Sequence, residues 1–328
     1  MSTIKKQIKT LYIIGNGFDI AHNINSSYRD FRRFLKDADE EFLWNFEKSY
    51  GFYPLNDDHI LSEKVFQEIE KTREETIYES LWKNFEDRLG HPDESEIEST
   101  CKAAIDSMSD IEFGGIQDTL DDYFESQFGF IKLLQEYLYD WVEQIILDKA
   151  HVLKKDFVNK DLFLTFNYTP VLEKIYEISN NQICHIHGSI APYSIIPPVI
   201  GHGNKTAIVQ RLNWYDECEK NYDEGGMSMN RAFIDFYNRT LKNTDYYLHQ
   251  NAAFFRKTKE VDRIQVIGHS LGEGDMPYFR ALPANIPWVV YYHSDEDRVR
   301  FEQIIRGIDV SCIEMKSSNE FWERLPVK

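Results

Sequence analysis

Four short polar turns carry the side chains best suited to chemistry, and each follows an apolar run. They are Gly15-Asn16-Gly17-Phe18-Asp19, Thr165-Phe166-Asn167-Tyr168, His185-Ile186-His187-Gly188 and Gly268-His269-Ser270-Leu271. A carboxylate, a carboxamide, imidazoles and a hydroxyl thus stand at the ends of what read as strands. In a parallel α/β sheet such ends share one rim, where ligands sit. The first turn can offer the N–H groups of Gly15 and Gly17 to phosphate, with Asn16 and Asp19 facing the ligand. The full dinucleotide fingerprint nevertheless fails, because Ile20 stands where its third glycine would fall.

Each of these residues also has a plainer use. Gly15 and Gly17 can serve a tight turn and Asp19 a helix cap. Asn167 can orient a ribose or a water, or it can form an Asx turn ahead of a helix capped by Thr169 with Pro170 in its first position. His185 and His187 alternate on one strand and so face the same side. They could share a metal only with a third ligand from elsewhere, so no metal is expected. His187, next to Gly188, is the better proton-transfer candidate, the alternative being a hydrogen-bonded core histidine. The run "GHSLGEGD" resembles a nucleophile elbow at Ser270, but too little chain follows to complete a hydrolase sheet. Gly268 and Ser270 are therefore read as nucleotide contacts, with Glu273 or Asp275 capping the next helix.

The elements that must position these turns follow from periodicity. Thr10–Ile14 and Leu162–Phe166 are apolar but for one threonine each, as strands covered on both faces are. "RIQVIG" and "PWVVYY" are further strands, each followed by a helix, and "PPVIGHGN" reads as another apolar approach to a glycine loop. Between them the texture is helical. Phe31, Phe34, Leu35, Ala38, Phe42 and Phe46 recur at helical spacing, and Leu120 to Ile145 reads as one long amphipathic helix. Trp44, Trp82, Phe85 and Trp141 are expected in the core of this helical part. The expected organisation is an α/β, Rossmann-like, mostly parallel sheet from residues 1–36 and 151–328, with a helical insertion at 37–150.

With 328 residues and a net charge of -18, the chain would repel a phosphate backbone, which disfavours generic nucleic-acid binding. Cys101, Cys184, Cys218 and Cys312 form no CxxC pair, so neither a zinc ribbon nor a redox pair is encoded. The scattered thiols, and the lack of any apolar run near the ~18 residues of a membrane span, point to a cytoplasmic protein.

The ordered set "LYIIGNGFDIAHNINSSYRDFRRFL", "LWKNFEDRL", "TFNYTPVLEKIY", "HIHGSI", "IGHGN" and "VIGHSLGEGDMPYF" resembles the AbiH-type bacteriophage abortive-infection family. The same strand ends are remotely similar to sirtuin-like NAD-binding proteins. The matches are Gly15-Asn16-Gly17, Thr165-Phe166-Asn167, Ile186-His187-Gly188 and Gly268-His269-Ser270-Leu271; Asp30-Phe31-Arg32 adds a fainter one at a different spacing. The second resemblance implies NAD as substrate or ligand, with NAD chemistry falling on Asn167 and His187. The four-cysteine module of sirtuin deacetylases is missing, which argues against lysine deacetylation, and Asn16 replaces a small residue in the glycine turn.

Together these imply a phage-defence effector that hydrolyses NAD and releases nicotinamide. His187 and Asn167 would be catalytic; Gly15, Asn16, Gly17, Asp19, Gly268 and Ser270 would hold the nucleotide. The alternatives are a metal-dependent nuclease or other nucleotide-processing enzyme, and a nucleotide-binding sensor without turnover. The expected partners are the nucleotide and a phage-derived trigger or protein, with a homo-oligomer allowed and no membrane.

Overall fold

Alternate residues of the first strand enter two different cores, and that is why its sequence is apolar without a break. In the computed structural model, which describes residues 8–55, 63–108, 116–308 and 310–322, Leu11 and Ile13 pack in one buried cluster. Tyr12 and Ile14 pack in the other, with Phe18, Phe163, Val171 and Phe321. Helices Ala252–Thr258, Met276–Arg280 and Asp295–Ile305 contribute Phe254, Phe255, Phe279, Phe301 and Ile305 to the first cluster. Both faces are therefore covered, as a parallel sheet requires.

Among the described residues the strands are β1 (Thr10–Ile14), β2 (Leu162–Thr165), β3 (Ile183–His185), β4 (Arg263–Ile267), β5 (Pro287–Tyr292) and β6 (Cys312–Ser317). They form one sheet in the order β3-β2-β1-β4-β5-β6, and every pairing is parallel. This is the doubly wound, Rossmann-like arrangement, with the strand order reversing between β1 and β4. The strands behind the four polar turns are the contiguous run β3-β2-β1-β4. The edge strand β6 escaped the sequence reading because "CIEMKS" is polar and half exposed, with no apolar run to mark it.

The chain divides into two compact units. The first comprises residues 1–27, 139–199 and 243–328 and holds the sheet. The second comprises 28–138 and 200–242. The helical part thus draws on two stretches of chain where the sequence suggested one, because helices Lys205–Lys220 and Glu224–Arg239 join it. Its core gathers Ile97, Cys101, Leu120, Phe124, Phe233 and Tyr237. The expected long helix is broken: Ile116–Phe128 stops at Gly129, a 3-10 turn spans Gly129–Leu133, and helix Leu134–Glu143 follows. The run from Phe31 to Phe46 is likewise two helices, Tyr28–Ala38 and Glu40–Lys48, because Asp39 leaves the helical backbone and caps the second by accepting from Phe42 N–H. Trp82 and Phe85 are buried as expected, whereas Trp44 is exposed and Trp141 belongs to the first unit. "PPVIGHGN" forms no sheet strand. Val199 N–H instead donates to His187 O at 2.9 Å, and His202 makes an isolated bridge with Leu241. Asp30-Phe31-Arg32 lies in the second unit, where Arg32 pairs with buried Glu47. Among the described residues no helix is long and apolar enough to cross a membrane.

Candidate functional site

The sheet ladder continues into the turns and fixes their relative depth. Gly15 N–H donates to Ile267 O at 3.0 Å, Phe166 N–H to Ile14 O at 2.9 Å, and Ile186 N–H to Thr165 O at 3.0 Å. All four turns consequently leave the sheet at its carboxyl rim, within the first unit.

The glycines here admit backbone to backbone. A Cβ on Gly15 would lie 2.4 Å from His269 Cα, and one on Gly268, whose φ is +68°, would lie 2.3 Å from Phe18 N. Gly17 N–H donates to Gly268 O at 2.8 Å. The amides of Gly15 and Gly17, expected at a phosphate, thus already have partners in the fold, and the absent side chains make room for the β4 turn. Asn16 is half-buried, and its carboxamide oxygen accepts from the Ser26 hydroxyl at 2.6 Å.

Asp19 is not a cap. It points from helix Asn16–Ala21 into the protein, 1% exposed, where Asn167 Nδ2 donates to its Oδ1 at 2.7 Å and the Thr169 hydroxyl donates to its Oδ2. Thr169 therefore does not cap the following helix, Val171–Tyr176, whose N-cap position is Pro170 with no side-chain hydrogen bond. Nor does Asn167 form an Asx turn. Its Nδ2 also reaches Gly15 O at 3.2 Å, which fastens the end of β2 to the end of β1. Its Oδ1 is buried without a hydrogen-bond partner in the structure. A buried carboxamide oxygen in that condition is an acceptor aimed at a donor the fold does not supply.

Burial pushes the Asp19 carboxyl up to about 7, against the lowering effect of the Thr169 and Asn167 hydrogen bonds. Behind Asn167 lies a second layer. His185 Nδ1 contacts Asn167 O at 2.8 Å and its Nε2 contacts Glu173 Oε1 at 2.9 Å, while the Tyr193 hydroxyl donates to the same Glu173 oxygen. Burial alone would raise the Glu173 carboxyl, but the His185 and Tyr193 contacts hold it below its ordinary value. Both ring nitrogens of His185 are engaged in these contacts.

His187 belongs to a different cluster. Strand β3 ends at His185 and the chain turns, with Gly188 N–H donating to His185 O at 3.0 Å and Gly188 at φ +76°. The two histidines therefore do not share a face as strict alternation would have them. His187 is 1% exposed, and its Nε2 lies 3.4 Å from Asp275 Oδ1; His269 Nε2 lies 3.4 Å from Asp275 Oδ2. These are ion-pair separations. Phe166 meets both imidazoles edge-on, at centroid distances of 5.0 Å and 4.1 Å. Asp275, expected as a cap, sits at the N-cap position of helix Met276–Arg280 but makes no side-chain cap bond, being turned toward the imidazoles.

Ser270 is exposed, and Leu271 follows it at φ +55°. No α-helix begins directly after Ser270, as a nucleophile elbow requires; a 3-10 turn spans Glu273–Asp275 and the next α-helix starts at Met276. Several participants have no motif of their own in the sequence. Glu173 and His269 carried no separate signal, and Asp275 and Thr169 looked like caps. The available signal was position: each follows a strand end on the carboxyl rim, His269 and Thr169 closely and Glu173 and Asp275 about two helical turns on.

This arrangement can hold a ligand hydroxyl or a water at Asn167 and accept a proton at an imidazole paired with a carboxylate. Comparison with known proteins gives one match: residues 11–292 match the family model described as bacteriophage abortive infection AbiH. No curated protein and no solved structure matches.

Proposed function

Because the chain belongs to the bacteriophage abortive infection AbiH family, we propose that it acts in abortive infection as a hydrolase whose carboxyl rim cleaves the nicotinamide–ribose bond of NAD. The observation that carries this reading is the buried, unpartnered Asn167 Oδ1 beside the protonatable carboxyl of Asp19 at the point where the strand order reverses. In the reaction the C1′–N bond breaks and its electron pair goes to the nicotinamide nitrogen, cancelling the positive charge there. Water forms the new bond at C1′ and loses a proton. Asn167 accepts from that water or from a ribose hydroxyl, and His187, paired with Asp275, takes the proton. Asp19 holds the Asn167 carboxamide in orientation. With the Gly15 and Gly17 amides engaged in the fold, Ser270 and the Asn16 amide are the polar groups left to meet the phosphates and riboses.

Asn167 is 7% exposed and His187 1%, so substrate reaches them only when the rim opens. That suits an effector held idle until a phage-derived trigger acts. The test follows NAD and free nicotinamide in cells expressing the protein during infection by a phage it restricts, and then with purified protein and infected-cell extract. Nicotinamide release that disappears in Asn167→Ala, together with loss of protection, is the expected result. Protection that proceeds with NAD intact overturns the reading and leaves a sensor or a different nucleotide substrate.

A further inference from the structure

The cluster around Asp275 contains more order than proton transfer at His187 alone requires. Its starting point is a backbone group: Leu271 N–H donates to His269 Nδ1 at 2.8 Å. An amide N–H can only donate, so His269 Nδ1 presents its lone pair, and the ring proton of neutral His269 sits on Nε2. That nitrogen lies 3.4 Å from Asp275 Oδ2, and His187 Nε2 lies 3.4 Å from the other carboxylate oxygen, both at ion-pair separation rather than in hydrogen-bond geometry. A carboxylate offers lone pairs only, so it favours a proton on each nitrogen turned toward it. The three side chains come from the turns after β4 and β3 and from the N-cap of helix Met276–Arg280. Phe166 packs T-shaped against both rings, and Tyr278 lies 5.5 Å from the His187 ring, so neither imidazole turns over without disturbing its packing. The strained backbone of this turn, with Gly268 at φ +68° and Leu271 at φ +55°, carries the Leu271 N–H to His269.

We infer that His269 and Asp275 are positioning residues forming a relay, from Leu271 N–H through His269 and Asp275, that holds neutral His187 with its proton on Nε2 and makes Nδ1 its proton-accepting atom. The relay also denies His269 Nε2 to a metal, since coordination there would need the lone pair that the Leu271 contact places on Nδ1. Naming Nδ1 as the acceptor in catalysis rests on the hydrolytic reading above; the tautomer itself does not.

The relay makes a specific statement about an isosteric change. In Asp275→Asn the carboxamide must place its oxygen toward His269 Nε2–H, which the Leu271 contact keeps as a donor. Its NH2 then faces His187 Nε2, and the neutral His187 ring must carry its proton on Nδ1. The lone pair moves to the wrong nitrogen while the shape of the site is kept.

The experiment is two-bond 15N–1H NMR on 15N-histidine protein. Among the 10 histidines, the His187 and His269 signals are identified as those lost in His187→Gln and His269→Gln, and nicotinamide release is measured in parallel. Wild-type protein is expected to show both rings in the Nε2–H form. Asp275→Asn is expected to convert His187 alone to the Nδ1–H form and to lower nicotinamide release by about 100-fold or more. A wild-type His187 in the Nδ1–H form overturns the relay, and so does a His187 tautomer indifferent to Asp275→Asn. The expected tautomers in a protein that releases no nicotinamide under phage activation would uphold the relay and remove the NAD reading.

Discussion

Asn167 Nδ2 donates to Asp19 Oδ1 at 2.7 Å across 148 residues of sequence, joining the turn after β2 to the helix after β1 inside the protein. The same nitrogen bonds Gly15 O, so one carboxamide ties together the ends of two neighbouring strands.

Replacing Asn167 by alanine strips Asp19 Oδ1 and Gly15 O of a buried donor. The expected cost is about 1–3 kcal/mol of folding stability, measured by urea unfolding, since Asp19 Oδ1 stays buried without its donor while Gly15 O keeps only its bond from Phe18 N–H. Nicotinamide release should be lost in the same variant. A stability unchanged from wild type would mean the fastening is not formed in solution.

Asp19 makes stability depend on pH in an unusual direction. Its folded value of about 7 lies above the unfolded carboxyl value of about 3.9, so the native state holds the proton longer. The stabilisation is complete below about pH 4 and is lost as pH rises through 7, by at most roughly 4 kcal/mol. Asp19→Asn keeps an acceptor for Asn167 and carries no charge. It should therefore flatten the curve between pH 5 and 8 and exceed wild type in urea midpoint at pH 8. Parallel pH curves for the two proteins would exclude Asp19 as the source.

Gly15→Ala would drive a methyl group to 2.4 Å from His269 Cα. The β4 turn has to shift, and with it the His269 contact to Asp275, at an expected cost of about 1–3 kcal/mol. Gly307→Ala, whose nearest neighbour is 3.4 Å away, serves as the control and should leave thermal unfolding unchanged. Equal melting temperatures for the two variants would show that the close approach is not required.

Much of the scaffold could be read from residue order. The apolar runs at Thr10–Ile14 and Leu162–Thr165 and the turns that follow them identified strands of a parallel sheet, because burial on both faces leaves no polar alternation. Ser294 capped its helix as its type suggests, accepting from Asp297 N–H. Local rules misread the polar residues nearest the chemistry. Asp19, Asn167, Thr169 and Asp275 are all common cap or turn residues, yet none makes the local bond that its type favours; each faces inward to a partner from another element.

What the sequence determined by itself is therefore the strands on the site's side of the sheet, the rim that the four turns share, and the AbiH family membership carried by their order. Tertiary structure alone decided which polar side chains meet. It separated His185 from His187 at the turn after β3, gave the Gly15 and Gly17 amides partners within the fold, and brought His187, His269 and Asp275 together. The physical reason is range. Hydrophobic periodicity and backbone preference act over a few residues, whereas the partner of a buried polar group is whichever donor or acceptor the packed sheet brings within about 3 Å.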